Sequence, residues 1–300
     1  MNKIIFLSWI LFCSLVGRTQ DNRYVLYNFK GNVTVVENKL ESKAKIGKSL
    51  SNTTIVKIPN GAAATFICNE AAMFTVKSPG NYSPNQFKDS CATNSSSVSV
   101  NYVKYVWNQL TSHEGSPGSN RKAFMSTVGA VSRSINNIWI DPRLDSINYS
   151  GGDFPLSWKS YADAKEFEFV LYTNPAGSGS PLYKNTLEKM KIPINTFASK
   201  IKPGNTYYWT SAVKGESNDE IKVLNYVPKP VYDAEVNKLK AEGPAFESEA
   251  DQSYRIAFGL EDARYLAEAY QYYTKAAALQ PDNILFRSTL MSFKKDYEIK

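Results

Sequence analysis

Ile201-Lys202-Pro203-Gly204-Asn205-Thr206-Tyr207-Tyr208-Trp209-Thr210-Ser211-Ala212-Val213 is a corner followed by a strand. Pro203-Gly204 turns the chain, and Tyr207, just beyond, can bond back to the backbone it has left. Tyr207, Trp209, Ser211 and Val213 then share one face, because side chains alternate along a strand. Upstream, Phe154-Pro155-Leu156-Ser157-Trp158, Phe167-x-Phe169-x-Leu171 and Ile192-x-Ile194 have the same β character. Trp158 is expected to pack opposite the Tyr207–Trp209 face. Residues 136–228 thus hold about seven strands, as a two-layer sandwich requires.

The corner and strand resemble the penultimate strand of fibronectin type III and related immunoglobulin-like sandwiches. The resemblance implies such a sandwich over residues 136–228.

Residues 22–96 are also β-rich, in shorter pieces. Val25-Tyr27-Phe29, Val33-Val35, Thr54 to Ile58, Ala63 to Cys68 and Met73 to Val76 are separated by Gly31, Gly47, Pro59-Asn60-Gly61 and Pro79-Gly80-Asn81. Close spacing of short strands predicts a small sandwich or open barrel. The order Gly31-x-Val33-x-Val35, Ile46-Gly47-Lys48-Ser49-Leu50, Asn60-Gly61-Ala62-Ala63-Ala64 and Phe74-x-Val76-x-x-x-Gly80-x-Tyr82 resembles the FecR-type domain, an all-β module found outside the bacterial inner membrane. In its best-known members that module hangs from a transmembrane helix and signals to a sigma factor. No such helix is read here.

Residues 97–135 form a helix and a polar linker. Tyr102, Val103, Val106 and Leu110 recur at helical spacing, with Tyr105 and Trp107 beside them. The linker includes His113, the single histidine of the chain.

After Pro228-Lys229-Pro230 the chain turns helical over residues 231–300. Asp251 to Asn283 resembles a tetratricopeptide repeat, with Ile256, Ala257, Leu260, Ala269, Tyr273, Ala276 and Pro281 at the matching offsets. Small Ala257 and Ala269 permit close helix approach, and Pro281 is expected to start the next helix. Arg264 departs from the pattern at a position where glycine is usual. Val231 to Glu242 and Ile284 to Tyr297 read as flanking helices that complete the lone repeat or pack it on the sandwich. The resemblance implies that the first helix of the pair lines a concave partner-binding face with Asp251, Tyr254, Phe258 and Glu261. The alternative is that Tyr254 and Phe258 seal the helices onto the sandwich.

Residues 1–20 read as a secretory signal peptide. Lys3 precedes an apolar run from Ile4 to Cys13, and small or polar residues follow to Gln20. Cleavage is expected between about residues 17 and 21. The run falls short of the roughly 20 apolar residues that span a bilayer. Phe12, not a small residue, precedes Cys13, so Cys13 is read as part of the signal peptide, the alternative being a lipid attachment site. Export to the periplasm or beyond removes weight from cytosolic ATP chemistry, chromosome binding and cytosolic redox roles.

The 300 residues are 43% hydrophobic and 21% charged, a folded composition large enough for two or three domains. The formal charge of +7 falls to about +5 without Lys3 and Arg18, with no block of like charges to mark a nucleic-acid surface. Cys68 and Cys91 remain after Cys13 is removed. In an oxidising compartment they are expected to pair, the alternative being two free thiols.

Chemistry is sparsely signalled. His113 with Glu114 makes no metal-ligand spacing. Ile46-Gly47-Lys48-Ser49 lacks the upstream glycine of a phosphate-binding loop, where Ser42 stands. Ser42-Lys43-Ala44-Lys45 has the bare SxxK spacing without its Lys-Thr-Gly partner. The expectation is a mainly β, multidomain chain with a C-terminal helical hairpin region, and no catalytic, metal or cofactor residues. Its function would be that of a non-enzymatic envelope scaffold binding envelope protein through its helical end. The alternatives are a carbohydrate- or peptidoglycan-binding module using the β domains, or a regulatory component of envelope signalling. No nucleic acid and no transmembrane segment of the mature chain enter this picture.

Overall fold

The computed structural model describes residues 23–92, 98–111, 137–244 and 247–299. The signal segment and His113 lie outside these residues. Strands fill the first two thirds, and four helices follow at the C-terminal end.

The first unit has eight strands: β1 (Tyr24–Lys30), β2 (Thr34–Glu37), β3 (Leu40–Lys43), β4 (Ser49–Leu50), β5 (Ile55–Ile58), β6 (Ala63–Cys68), β7 (Ala72–Val76) and β8 (Gly80–Tyr82). They form two four-stranded antiparallel sheets, ordered β4-β1-β6-β7 and β3-β2-β5-β8. Tyr24, Leu26, Val35, Val56, Phe66, Phe74 and Phe87 are buried together in one core. A short helix, α1 (Lys88–Ala92), carries Cys91, and a disulfide joins it to Cys68 at the end of β6 with Cα atoms 5.9 Å apart.

β1 and β6 are buried on both faces rather than one. Helix α2 (Val100–Thr111) covers the second face, and its Tyr102, Val103, Tyr105, Val106 and Trp107 share a core with Val25, Tyr27, Ile67 and Met73. The register of β1 shifts between Leu26 and Asn28, a β-bulge that re-aims the side chains around it.

The second unit contains β9 (Ile138–Trp139), β10 (Ser146–Tyr149), β11 (Pro155–Ser157), β12 (Lys159–Ser160), β13 (Phe167–Tyr172), β14 (Tyr183–Leu187), β15 (Lys191–Pro193), β16 (Thr206–Val213) and β17 (Lys222–Tyr226). One sheet runs β10-β17-β16-β13-β14, with β10 parallel to β17 and the other pairs antiparallel. Two short pairs, β11-β15 and β12-β9, add to it. Trp158, between β11 and β12, stacks on Phe169, which stacks in turn on Trp209 at 5.7 Å. At the corner, the Lys202 backbone N–H donates to the Tyr207 hydroxyl at 2.8 Å. Gly204 there has φ +85°, which a side chain would strain.

The four C-terminal helices are α3 (Lys229–Ala241), α4 (Glu249–Asp262), α5 (Leu266–Leu279) and α6 (Ile284–Asp296). Ala257, Ala269 and Ala276 are fully buried, as close approach of α4 and α5 demands. The turn between them places Arg264 at φ +65°, in the left-handed region. The departure from glycine therefore sits where the backbone makes glycine cheapest. Pro281 does not start α6. Asn283 does, its Oδ1 accepting from the Leu285 and Phe286 N–H groups, while Pro281 lies in the preceding turn.

One hydrophobic core runs from the outer face of β1 through α2 and α4 into the middle sheet. Among the described residues, no helix is long and apolar enough to cross a membrane.

Candidate functional site

Asp251, Tyr254, Phe258 and Glu261 fall on one face of α4, as their spacing requires, but that face is not an open groove. Tyr254 is 1% exposed and stacks on Phe286 of α6 at 4.7 Å. Its hydroxyl donates to Tyr105 Oη at 3.1 Å and lies 2.9 Å from Thr289 Oγ1. Phe258 packs between Tyr102 and Tyr105 of α2, at 5.5 and 5.0 Å. Glu261 is buried and accepts from the hydroxyls of Tyr273 and Tyr297. Asp251, partly buried, accepts from Asn28 Nδ2 at 2.8 Å, just past the bulge in β1.

The concave face expected from the repeat-like spacing is thus filled by α2, α6 and β1; Tyr254 and Phe258 are sealed in, but against α2 and α6 rather than the sandwich. Helix α2 is the physical reason. It lies between β1 and α4, with the Tyr102 hydroxyl 2.8 Å from that of Tyr27 and the Tyr102 and Tyr105 rings on Phe258.

A cleft of about 640 Å³ lies elsewhere, between α3, α5 and the loop after β10. On α3 the residues turned to it, Lys229, Tyr232, Val236 and Lys240, recur every three or four positions. Glu268, Gln271, Tyr272 and Lys275 do the same on α5. Ser150-Gly151-Gly152 forms the third wall. Gly152 has φ +94°, and a Cβ there would meet Gln271 Nε2 at 2.2 Å. The positive φ favours glycine there, and a side chain would also have to displace the Gln271 amide. Tyr149 holds the loop from behind, donating its hydroxyl to the Gly152 carbonyl at 2.9 Å.

Glu268 is the central group. Its Oε1 accepts from the backbone N–H groups of Ser150 at 2.5 Å and Gly151 at 3.0 Å. Its side chain is buried, and burial pushes the carboxyl up to about 7 against the opposing pull of those two bonds. Near neutrality such a carboxyl can both donate and accept a hydrogen bond.

The rim is cationic. Lys229 pairs with Asp233 and lies over the Tyr232 ring, and Lys275 meets Glu249 at 2.9 Å. Lys240 is exposed on the same rim. The Tyr232 hydroxyl is shifted upward, chiefly by burial. Sequence inspection passed over this cleft because its walls come from three separated segments. The one available signal was Gly151-Gly152, ahead of the Phe154 strand.

Among the described residues, no group of three or more His, Cys, Asp or Glu side chains is placed to hold a metal ion. The sequence matches no protein-family model, and comparison with curated proteins finds no relative.

Proposed function

We propose that this chain is an exported, non-enzymatic recognition scaffold of the bacterial cell envelope, and that the α3–α5 cleft is its recognition surface. One observation carries the proposal. Both β units share one core with the helical end, yet a preformed cleft remains open between that end and the loop after β10. A preformed site loses little ordering entropy on binding, which suits recognition.

Three features support the modular reading. The paired four-stranded sheets at the N-terminal end agree with a FecR-like module. The Tyr207 corner and the parallel β10–β17 edge agree with an immunoglobulin-like sandwich. The α4–α5 pair with its buried alanines agrees with a tetratricopeptide-like hairpin. The Cys68–Cys91 disulfide suits an oxidising compartment outside the cytoplasm.

The test is affinity capture from envelope extract by the mature chain, with bound material identified by mass spectrometry. Lys240→Glu combined with Lys275→Glu should abolish recovery of a specific partner while the thermal melt stays unchanged. Unchanged recovery would place recognition away from the cleft. N-terminal sequencing of the exported protein should begin between about residues 17 and 21. An intact Met1 would remove the export half of the proposal.

A further inference from the structure

The α3–α5 cleft contains groups that the fold itself leaves unused. Glu268 Oε2 and Ser150 Oγ are both buried and make no hydrogen bond, although both residues line the cleft. Glu268 is 3% exposed, and its other oxygen is fully engaged by two backbone donors. Buried polar atoms almost always have partners, so two orphans on adjoining walls of one cleft point to an absent one.

The lining narrows its chemistry. Among the described residues, Val236, itself buried, is the only aliphatic side chain in the walls. A peptide that binds through apolar anchor residues would find no pocket for them. Tyr232 is covered by Lys229 and Tyr265, so Tyr272 offers the ring face, while Asn237 and Gln271 offer amides that both donate and accept. Sugar rings use both kinds of group, the aromatic face beneath their C–H bonds and the amides at their hydroxyls. Charge supplies the last constraint. Asp233 and Glu249 offset Lys229 and Lys275, whereas Lys240 has no acidic partner among the described residues. The rim therefore carries one uncompensated positive charge. The volume, about 640 Å³, falls within the usual span of small-ligand sites.

We infer that the cleft binds an acidic oligosaccharide of two or three rings. Its carboxylate sits against Lys240, and its hydroxyls complete Ser150 Oγ and Glu268 Oε2. This inference rests on the cleft being the recognition surface, and its test separates the two. The mature chain is titrated calorimetrically with trigalacturonate, neutral maltotriose, an acidic hexapeptide and inorganic phosphate. Trigalacturonate should bind saturably and at least tenfold more tightly than the other three. Lys240→Glu and Asn237→Ala, both exposed on the cleft walls, should each weaken it tenfold or more without shifting the melting temperature.

Equal binding of maltotriose would overturn the acidic assignment, and equal binding of phosphate would reduce the site to a simple anion contact. Preference for the hexapeptide, or no binding by any probe, would overturn the saccharide. In that last case, partner capture that is still lost in the Lys240→Glu, Lys275→Glu variant would leave the recognition surface standing. Capture that is unchanged would remove both.

Discussion

Asn148, on β10, donates its backbone N–H to the carbonyl of Arg264 at 2.9 Å, tying the middle sheet to the turn between α4 and α5. Its side-chain Nδ2 donates to the neighbouring Ala263 carbonyl, also at 2.9 Å. One residue thereby satisfies two carbonyls that a helix end leaves without partners. Asn148→Ala keeps the backbone bond and loses the side-chain one, together with the bond that Asn225 Nδ2 donates to Asn148 Oδ1. The expected cost is about 1–3 kcal/mol in urea denaturation, since a partly buried carbonyl loses its donor.

Arg264 itself tests the turn. Its left-handed backbone costs a non-glycine residue roughly 1 kcal/mol, while its guanidinium donates to the Arg143 carbonyl at 3.2 Å. The two effects nearly cancel, so Arg264→Gly should alter stability by less than about 1 kcal/mol. Arg264→Val loses the bond and adds β-branched strain. It should fall below the glycine variant by about 1–2 kcal/mol in the same assay.

Glu268 gives a pH signature. Its carboxyl titrates at about 7 in the folded protein, against about 4.3 in an unfolded chain. Between those values the folded state holds a proton that the unfolded state has released. The stability it contributes is therefore full below about pH 4.3 and is lost as pH rises through about 7. Glu268→Gln keeps an acceptor for Ser150 and Gly151 and cannot ionise. The variant should gain on the wild type by on the order of 2 kcal/mol between pH 5 and pH 8. Parallel stability curves across that interval would show that Glu268 does not titrate there.

The sealed face of α4 has its own test. Phe258→Ala should cost about 3–5 kcal/mol, as a large buried aromatic does. Tyr254→Phe removes only the hydroxyl shared with Tyr105 and Thr289 and should cost about 1–2 kcal/mol. Differential scanning calorimetry reads both. Unchanged melting temperatures would mean that these side chains face an open groove after all.

Cys68→Ser with Cys91→Ser removes the link between β6 and α1. On the chain-entropy estimate the loss is about 3 kcal/mol. Denaturation with and without a reductant should show the same loss in the wild type and none in the double variant.

Much of the fold was legible in local patterns. The Pro203-Gly204 corner and Tyr207, the alternation around Phe169 and Trp209, and the small residues Ala257 and Ala269 each dictate a local geometry that the structure contains. Long-range closure was not legible. Nothing near Tyr254 announces that Tyr105, 149 residues earlier, will occupy its face. The cleft escaped for the same reason, because Glu268 meets Ser150 and Gly151 across more than a hundred residues. Local spacing says which side of a helix is apolar. It does not say which distant segment arrives to cover it.

The bulge in β1 carries a consequence for the order of assembly. Asn28 follows it and bonds Asp251 across 223 residues of chain. Contacts so distant in sequence form late, because the loop must close before they stabilise anything. The outer face of β1, with Val25 and Tyr27, is covered once α2 docks, but its Asn28 end stays open until α4 has been synthesised and has docked. Until α2 docks, an apolar strand surface is open to proteases and to other unfinished chains. The first unit can pair its sheets and form its disulfide early. Its outer face waits for α2, and the Asn28 end of that face for the far end of the chain.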